Sequence, residues 1–178
     1  MQESEKRYLH IYCGQGKGKT TAAMGLAMRA SGAGWRILVI QFLKDGTSSE
    51  LKVLRCLPGV TVVSGKAVAG FASSFSAEER GRVRLLHDQR FEDALRRVQE
   101  DDIDLLILDE IIGAVNLDLV DANKLMEFLE HRPDTLEVVL TGRDPSPKLC
   151  EMADYVSEIS KIKHPFDQGI SAREGVEK

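Results

Sequence analysis

The residues best suited to chemistry lie in a glycine-rich segment, Gly14-Gln15-Gly16-Lys17-Gly18-Lys19-Thr20-Thr21. Backbone amides of such a turn at a helix N-terminus bind phosphate, because they point outward unpaired and the helix dipole adds positive potential. Lys19 supplies a mobile cation, and the Thr20 hydroxyl is placed to ligate Mg²⁺. The segment therefore predicts a phosphate site.

The spacing in this segment departs from the usual G-x-x-x-x-G-K-[ST] pattern. That pattern requires a glycine at position 13, where this chain has Cys13, and the nearest fit begins at Gly14 and is one residue short. Two interpretations follow from the residues alone. The segment is either a false match or a phosphate loop with altered geometry that holds its nucleotide differently.

A pair of acidic residues, Asp109-Glu110, follows the apolar run Leu105-Leu106-Ile107-Leu108. A carboxylate at the end of a strand can hold Mg²⁺ opposite Thr20, directly or through water. Acidic residues also follow apolar strands for a simpler reason, because helix N-termini favour negative charge. The glycine-rich segment upstream favours the metal and nucleotide interpretation.

Two further polar residues are candidates with weaker signals. Arg143 follows an apolar run through Thr141-Gly142. An isolated arginine in a turn is ordinarily a surface residue, but at the same sheet edge as a phosphate loop a guanidinium can bind phosphate bidentately. His164 lies in a polar tail, where a lone histidine is ordinarily a solvated turn residue.

Alternating strands and helices must position these groups. The apolar runs predict strands at 9–13, 36–42, 60–63, 104–108, 137–140 and 155–159, and helices at 20–31, about 76–99, 121–131 and 147–152. The second of these helices is opened by a capping box at Ser76–Glu79. The alternation predicts an α/β fold with a mainly parallel, helix-covered sheet, whose ligands lie at the carboxyl ends of the strands.

Composition limits the function classes. The 178 residues are 43% hydrophobic, which fits one domain spanning residues 1–178. A net charge of −4 gives no reason to expect nucleic-acid binding, and no apolar run approaches the roughly 20 residues that span a membrane. The charged start is unlike a signal peptide, and three scattered cysteines indicate a cytoplasmic protein.

Taken together, these segments resemble the ATP:corrinoid adenosyltransferases of the P-loop type. The resemblance runs from Ile11 to Val176 and includes the shortened glycine loop, Ile40-Gln41-Phe42-Leu43-Lys44, Gly70-Phe71, Leu108-Asp109-Glu110, Arg132-Pro133, Leu140-Thr141-Gly142-Arg143 and Ala153-Asp154. The tail Ile162-Lys163-His164-Pro165-Phe166-Asp167-Gln168-Gly169-Ile170 is its most specific part.

The resemblance implies a P-loop NTPase-like three-layer fold and a particular reaction. ATP gives up its adenosyl group to Co(I) of a corrinoid, cobalamin or a cobyrinic acid derivative, and triphosphate leaves. The triphosphate is held in reversed orientation, which exposes the ribose 5′ carbon to the corrinoid. The resemblance also implies Mg²⁺, a homodimer and a reducing flavoprotein partner.

Roles for individual residues come with the resemblance. It implies catalytic roles for Lys19 and Arg143, metal binding by Thr20 and Glu110 with support from Asp109, and corrinoid binding by Phe71, with Phe75 as a possible substitute for a missing aromatic residue. The residues it implies for ATP binding are Gly14, Gln15, Gly16, Lys17, Gly18, Lys19, Thr20, Thr21, Arg29, Arg143 and His164. Gln15 stands where the family usually has asparagine.

One departure from the family pattern concerns the corrinoid-facing loop. Relatives carry Phe-Thr-Trp after the glycine, whereas this chain reads Phe71-Ala72-Ser73. Those aromatics help displace the lower axial ligand of cobalt, so lower activity or a shifted substrate range is expected. Two other functions stay open at this point: a conventional P-loop ATPase or kinase that cleaves the γ-phosphate, and a nucleotide-gated corrinoid carrier without turnover.

Overall fold

A six-stranded sheet forms the centre of the molecule. The computed structural model describes residues 6–65 and 75–177. Its strands are β1 (Leu9–Cys13), β2 (Ile37–Gln41), β3 (Val60–Val63), β4 (Leu105–Asp109), β5 (Glu137–Thr141) and β6 (Tyr155–Glu158). The strand order is β3-β2-β4-β5-β1-β6, and every pairing is parallel. All carboxyl ends therefore meet at one edge of the sheet.

Helices connect the strands. They are α1 (Lys19–Gly32), α2 (Glu50–Leu54), α3 (Ala77–Glu100), α4 (Ile111–Asn116), α5 (Ala122–Glu130) and α6 (Pro147–Met152), followed by a 3₁₀ turn at Pro165–Gln168. The four predicted helices correspond to α1, α3, α5 and α6. The two that the sequence did not predict, α2 and α4, have five and six residues, too few to display a helical period.

The sheet is covered on both faces. On one face, alternate strand residues such as Ile11 and Leu108 pack against α3, α4, α5 and α6. On the other, the intervening residues such as Val39 and Ile107 pack against α1 and α2. The three layers confirm the α/β, P-loop NTPase-like architecture. Within the described part of the chain, no helix combines the length and the apolar character needed to cross a membrane.

The capping box predicted for α3 is present. The Ser76 hydroxyl accepts from the Glu79 amide at 3.2 Å, and the Ser76 amide donates to Glu79 Oε2 at 2.8 Å. The helix is mostly charged and solvated, as expected, but its inner face buries His87 and Arg90 together with Phe91. The buried histidine and arginine pack near the end of β2, where Arg90 donates to the carbonyl of Gln41 at 3.1 Å.

Two segments quoted for the family resemblance turn out to connect elements of the fold. The Asp154 carboxylate, just before β6, accepts from the Leu9 amide at 2.8 Å and pairs with Arg132 at 3.4 Å. Arg132 also donates to the carbonyl of Leu129 at 3.0 Å, at the end of α5. These contacts join α5, β1 and β6, so a structural role explains both residues.

Candidate nucleotide site

The glycine-rich segment forms a tight loop between β1 and α1. Gly14 and Gly18 have φ of 102° and 122°, a region that residues with a side chain rarely adopt. A Cβ on Gly14 or on Gly16 would lie 2.6 Å from the carbonyl oxygen of Ile159. The glycines are therefore required by the close approach of the chain segment that follows β6.

One amide of this loop is committed to the protein itself. The Gly16 amide donates to the Ile159 carbonyl at 2.7 Å, which ties the loop to the end of β6. The amides of the first turn of α1, beginning at Lys19, have no acceptor within their own helix. The Gly16 amide is thus already paired, whereas the amides at the helix N-terminus have the arrangement that can bind an anion.

The Lys19 ammonium lies inside the loop. Its Nζ donates to the carbonyls of Gly14 at 2.8 Å and Gly16 at 2.9 Å, and only 8% of the residue is exposed. Burial lowers the pKa of Lys19, the nearby Glu110 opposes that shift, and Arg143 adds to it. Arg143 lines the same cavity as Lys19, so a second cation faces that cavity.

Asp109 is the centre of a buried hydrogen-bond network at the end of β4. The hydroxyls of Thr20 and Thr141 each donate to Oδ1 at 2.8 Å, and the Gln41 amide donates to Oδ2 at 3.1 Å. The carboxylate has no exposed surface. The network links α1 to the ends of β2, β4 and β5, so it aligns Thr20 with the strand ends.

A lysine that the sequence analysis assigned no role completes this network. Lys44 Nζ donates to Asp109 Oδ2 at 2.8 Å and to Thr20 Oγ1 at 2.9 Å. Gln41 was also missed as a site residue. Both residues lie in Ile40-Gln41-Phe42-Leu43-Lys44, a segment of the family resemblance. The motif therefore indicated that this segment matters, but it did not indicate the contacts with Asp109.

Glu110 turns away from the buried network toward a cavity. Its backbone is left-handed, with φ 61°, and its amide donates to Thr141 Oγ1 at 2.9 Å. Burial, and then the neighbouring Asp109 carboxylate, raise the pKa of Glu110. Two adjacent carboxylates therefore have different positions, Asp109 beneath the site and Glu110 on its wall.

The cavity has a volume of about 780 Å³, within the usual range for small-molecule sites of roughly 300–1,000 Å³. Its polar end contains residues 15–21, Lys44, Glu110 and Arg143. Its other walls come from α1, α2 and the C-terminal tail, and they include the apolar side chains Met24, Met28, Val53, Phe166 and Val176. The cavity thus offers cationic groups suited to phosphate and apolar side chains suited to an apolar or aromatic group.

Comparison with known proteins identifies the family. A family profile described as "ATP:corrinoid adenosyltransferase BtuR/CobO/CobP" matches residues 5–177. The chain belongs to the ATP:corrinoid adenosyltransferase family.

Individual relatives agree. A corrinoid adenosyltransferase of Sinorhizobium sp. is 33% identical over 97% of this chain and 81% of its own length. A corrinoid adenosyltransferase of Pseudomonas aeruginosa is 32% identical over 97% of this chain and 84% of its own length. One of Escherichia coli strain K12 is 30% identical over 98% of this chain and 87% of its own length.

The chain is therefore an adenosyltransferase, with ATP and a corrinoid as substrates. Most of the residues expected to bind ATP line the cavity: Gln15, Gly16, Lys17, Gly18, Lys19, Thr20, Thr21, Arg143 and His164. Gly14 and Asp109 lie directly beneath it, through the contacts of Lys19 and Thr20.

The remaining predicted residues of the adenosyltransferase lie elsewhere. Arg29 is exposed in the last turn of α1 on the side near Tyr12, and it is not among the described residues that line the cavity. Phe75 is half-buried against the core under α3. Phe71 falls outside the described residues. The roles of all three stay predictions.

His164 is positioned by its own turn. Its Nδ1 accepts from the Phe166 amide at 3.1 Å, at the start of the 3₁₀ turn, so the ring's other nitrogen carries the proton when the histidine is neutral. The ring is half-buried on the cavity wall. The adenosyltransferase tail thus presents a hydrogen-bond donor and apolar side chains to the same cavity.

Proposed function

We propose that the protein transfers the 5′-deoxyadenosyl group of ATP to the Co(I) centre of a corrinoid and releases triphosphate. One observation carries the proposal beyond family membership. A single cavity is lined both by Lys19 and Arg143, which we predict to bind phosphate, and by apolar side chains such as Met28 and Phe166. A nucleotide has this distribution of polar and apolar groups.

In the proposed reaction Co(I) of the corrinoid substrate donates an electron pair to the ribose 5′ carbon. The bond between that carbon and the triphosphate oxygen breaks, and its electron pair leaves with the triphosphate. No proton needs to move at the reacting carbon, so the protein needs no general base. Its task is to orient the 5′ carbon and to stabilise the departing anion.

The cations of the site are suited to that task. Lys19 is held inside the loop by the carbonyls of Gly14 and Gly16, which supports a role for its ammonium in binding the triphosphate. Arg143 is exposed on the cavity wall at the end of β5. Preorganised donors of this kind act on charge that develops in the transition state, which is the largest contribution in many enzymes.

The donor set also fits Mg²⁺. Thr20 and Glu110 offer hard oxygen ligands, and the contacts of the Lys44 ammonium with Thr20 and Asp109 support a preference for positive charge there. Among the described residues no group of three or more histidines, cysteines or carboxylates forms, which suits a metal held mostly by phosphate and water. Bound there by Thr20 and Glu110, the metal supplies charge neutralisation for the triphosphate.

The corrinoid side of the reaction rests on the resemblance. We assign Phe71 and Phe75 to the corrinoid-facing surface, with Phe75 in place of the aromatic that relatives carry two residues after Phe71. We further propose a cytoplasmic homodimer, each chain acting as one domain, whose corrinoid substrate is reduced to Co(I) by a flavoprotein. Sedimentation equilibrium tests the dimer, since a monomer mass would exclude it.

The deciding experiment is an anaerobic assay of purified protein with Mg-ATP and chemically reduced cob(I)alamin. The corrinoid spectrum and the phosphate product are followed together. Adenosylcobalamin with triphosphate is the expected result. ADP with an unchanged corrinoid would contradict the proposal in favour of a γ-phosphate enzyme, and tight binding of both substrates without product would indicate a carrier.

A matched pair of variants locates the chemistry. Lys19→Met removes the ammonium from the loop, and Lys148→Met removes a lysine whose side chain is 67% exposed on α6. The first variant should lose triphosphate release, and the second should retain it. Equal activity of the two would show that transfer does not use this loop.

A further inference from the structure

The Lys44 ammonium lies between two groups that the proposed metal site needs. It donates to Thr20 Oγ1 at 2.9 Å and to Asp109 Oδ2 at 2.8 Å. The Asp109 side chain has no exposed surface, and that of Lys44 is 25% exposed. Water therefore screens the ion pair of Lys44 and Asp109 less than it screens an ion pair on the surface. The attraction between the ammonium and the carboxylate is correspondingly stronger.

The chain reaches this position through an unusual turn. Leu43, directly before Lys44, has a left-handed backbone with φ 55°, which is unfavourable for a residue with a side chain. Its amide faces His87 Nε2 at 3.4 Å, and Leu43 packs against the core. The turn after β2 is therefore held by its surroundings, and it directs the following lysine toward Asp109.

A metal at Thr20 and the ammonium of Lys44 exclude each other. A hydroxyl has one proton and two lone pairs. The Thr20 hydroxyl donates its proton to Asp109 Oδ1, and Thr20 Oγ1 itself accepts from the ammonium of Lys44. A metal ion bound by that oxygen would face a second cation in direct contact with its ligand, which is strongly repulsive.

We propose that Lys44 is an internal counter-cation, which holds Thr20 and Asp109 together in the metal-free protein and is displaced into the cavity when Mg-ATP binds. This inference rests on the nucleotide and metal part of the proposed function. Lys44 already lines the cavity, so its displaced ammonium stays beside the triphosphate. Lys44 is thus a positioning residue that couples ATP binding to the metal.

The proposal predicts effects of unequal size with and without metal. In metal-free protein Lys44 supplies the positive charge that ATP meets, so its removal should weaken ATP binding. With Mg²⁺ present its removal abolishes the competition at Thr20, so the metal should enhance ATP binding more than in the wild type. A purely structural lysine would change both affinities by the same factor.

The experiment measures the Kd of ATP by calorimetry in EDTA and in saturating Mg²⁺, without any corrinoid. Lys44→Met removes the charge, Lys44→Gln retains a hydrogen-bond donor, and Lys148→Met is the surface control. The Kd in EDTA divided by the Kd in Mg²⁺ measures how strongly the metal enhances ATP binding. This ratio should rise by about tenfold in both Lys44 variants and stay unchanged in the control. An unchanged or smaller ratio in Lys44→Gln would overturn the proposal.

Melting temperatures in EDTA show whether the variants fold. If Lys44→Met does not fold, Lys44→Gln decides the question. If Mg²⁺ does not affect ATP binding even in the wild type, that result contradicts both the proposed metal site and the proposed role of Lys44. Adenosyl transfer is then still decided separately by the corrinoid assay, because the calorimetry contains no corrinoid.

Discussion

Substituting alanine for Gly16 tests how the phosphate loop is held. A Cβ at this position would lie 2.6 Å from the carbonyl oxygen of Ile159 and 2.8 Å from that of Ser160. Both neighbours are backbone, and the segment is fixed because the Ile159 amide donates to the Cys13 carbonyl at 2.9 Å. The clash cannot be relieved by rotating a side chain.

The expected loss of stability follows from these contacts. Overpacking of this kind costs about 1–3 kcal/mol. Separating the two segments also weakens the hydrogen bond from the Gly16 amide to Ile159, which contributes about 1 kcal/mol. Together they predict about 3 kcal/mol, or a melting temperature lowered by about 6–12 °C for a chain of this size.

The assay compares the melting temperature and the ATP affinity of Gly16→Ala with those of a control variant, Gly81→Ala, at a position with space for a Cβ. Gly81 lies inside α3, and a Cβ there meets nothing within 4 Å. Gly81→Ala should stabilise the protein by about 0.5–1 kcal/mol, because glycine is unfavourable in a helix. Gly16→Ala should lower both melting temperature and ATP affinity. If it melted within about 2 °C of the wild type, the packing argument would be refuted.

Three further outcomes are expected. Lys19→Met should lower kcat for adenosyl transfer by about 10²–10³ with Lys148→Met unaffected, and a drop below tenfold would contradict a role in stabilising the leaving group. Burial lowers the pKa of His87 to about 4, so folding stability should fall by up to about 3 kcal/mol as pH decreases from 6.5 to 4. Urea titrations of His87→Leu should lack that part of the pH dependence, and identical slopes would show that His87 is not its source. Ser73→Trp should strengthen binding of corrinoids without a lower axial ligand and raise turnover, and no change in either would argue against the importance of the missing aromatic.

The pH prediction follows from the sign of the shift. The unfolded histidine takes up a proton near pH 6.5, whereas the folded one resists protonation until about pH 4 because it is desolvated and lies near Arg90. Between these values the unfolded state binds more protons, so acidification favours unfolding. Above pH 6.5 both states are neutral, and the contribution of His87 is fully retained.

The sequence by itself predicted the elements whose signals are local. Apolar runs indicated the inner strands β2, β4 and β5, because strands of a parallel sheet that are buried on both faces need continuous apolar segments. Ser76 and Glu79 indicated the start of α3, since a capping box is complete within four residues. The glycine loop, Asp109-Glu110 and Arg143 followed from their positions at strand ends, where parallel strands collect their polar residues.

Only the tertiary structure decided the contacts between distant segments. The order β3-β2-β4-β5-β1-β6 depends on packing across the whole chain. Gly16 must be glycine because Ile159 approaches it, and no local pattern encodes that approach. Lys44 carried no periodicity or motif of its own that pointed to Asp109, 65 residues away. Its place at the site arises because β2 and β4 are neighbours in the sheet, which brings their ends together around one buried carboxylate.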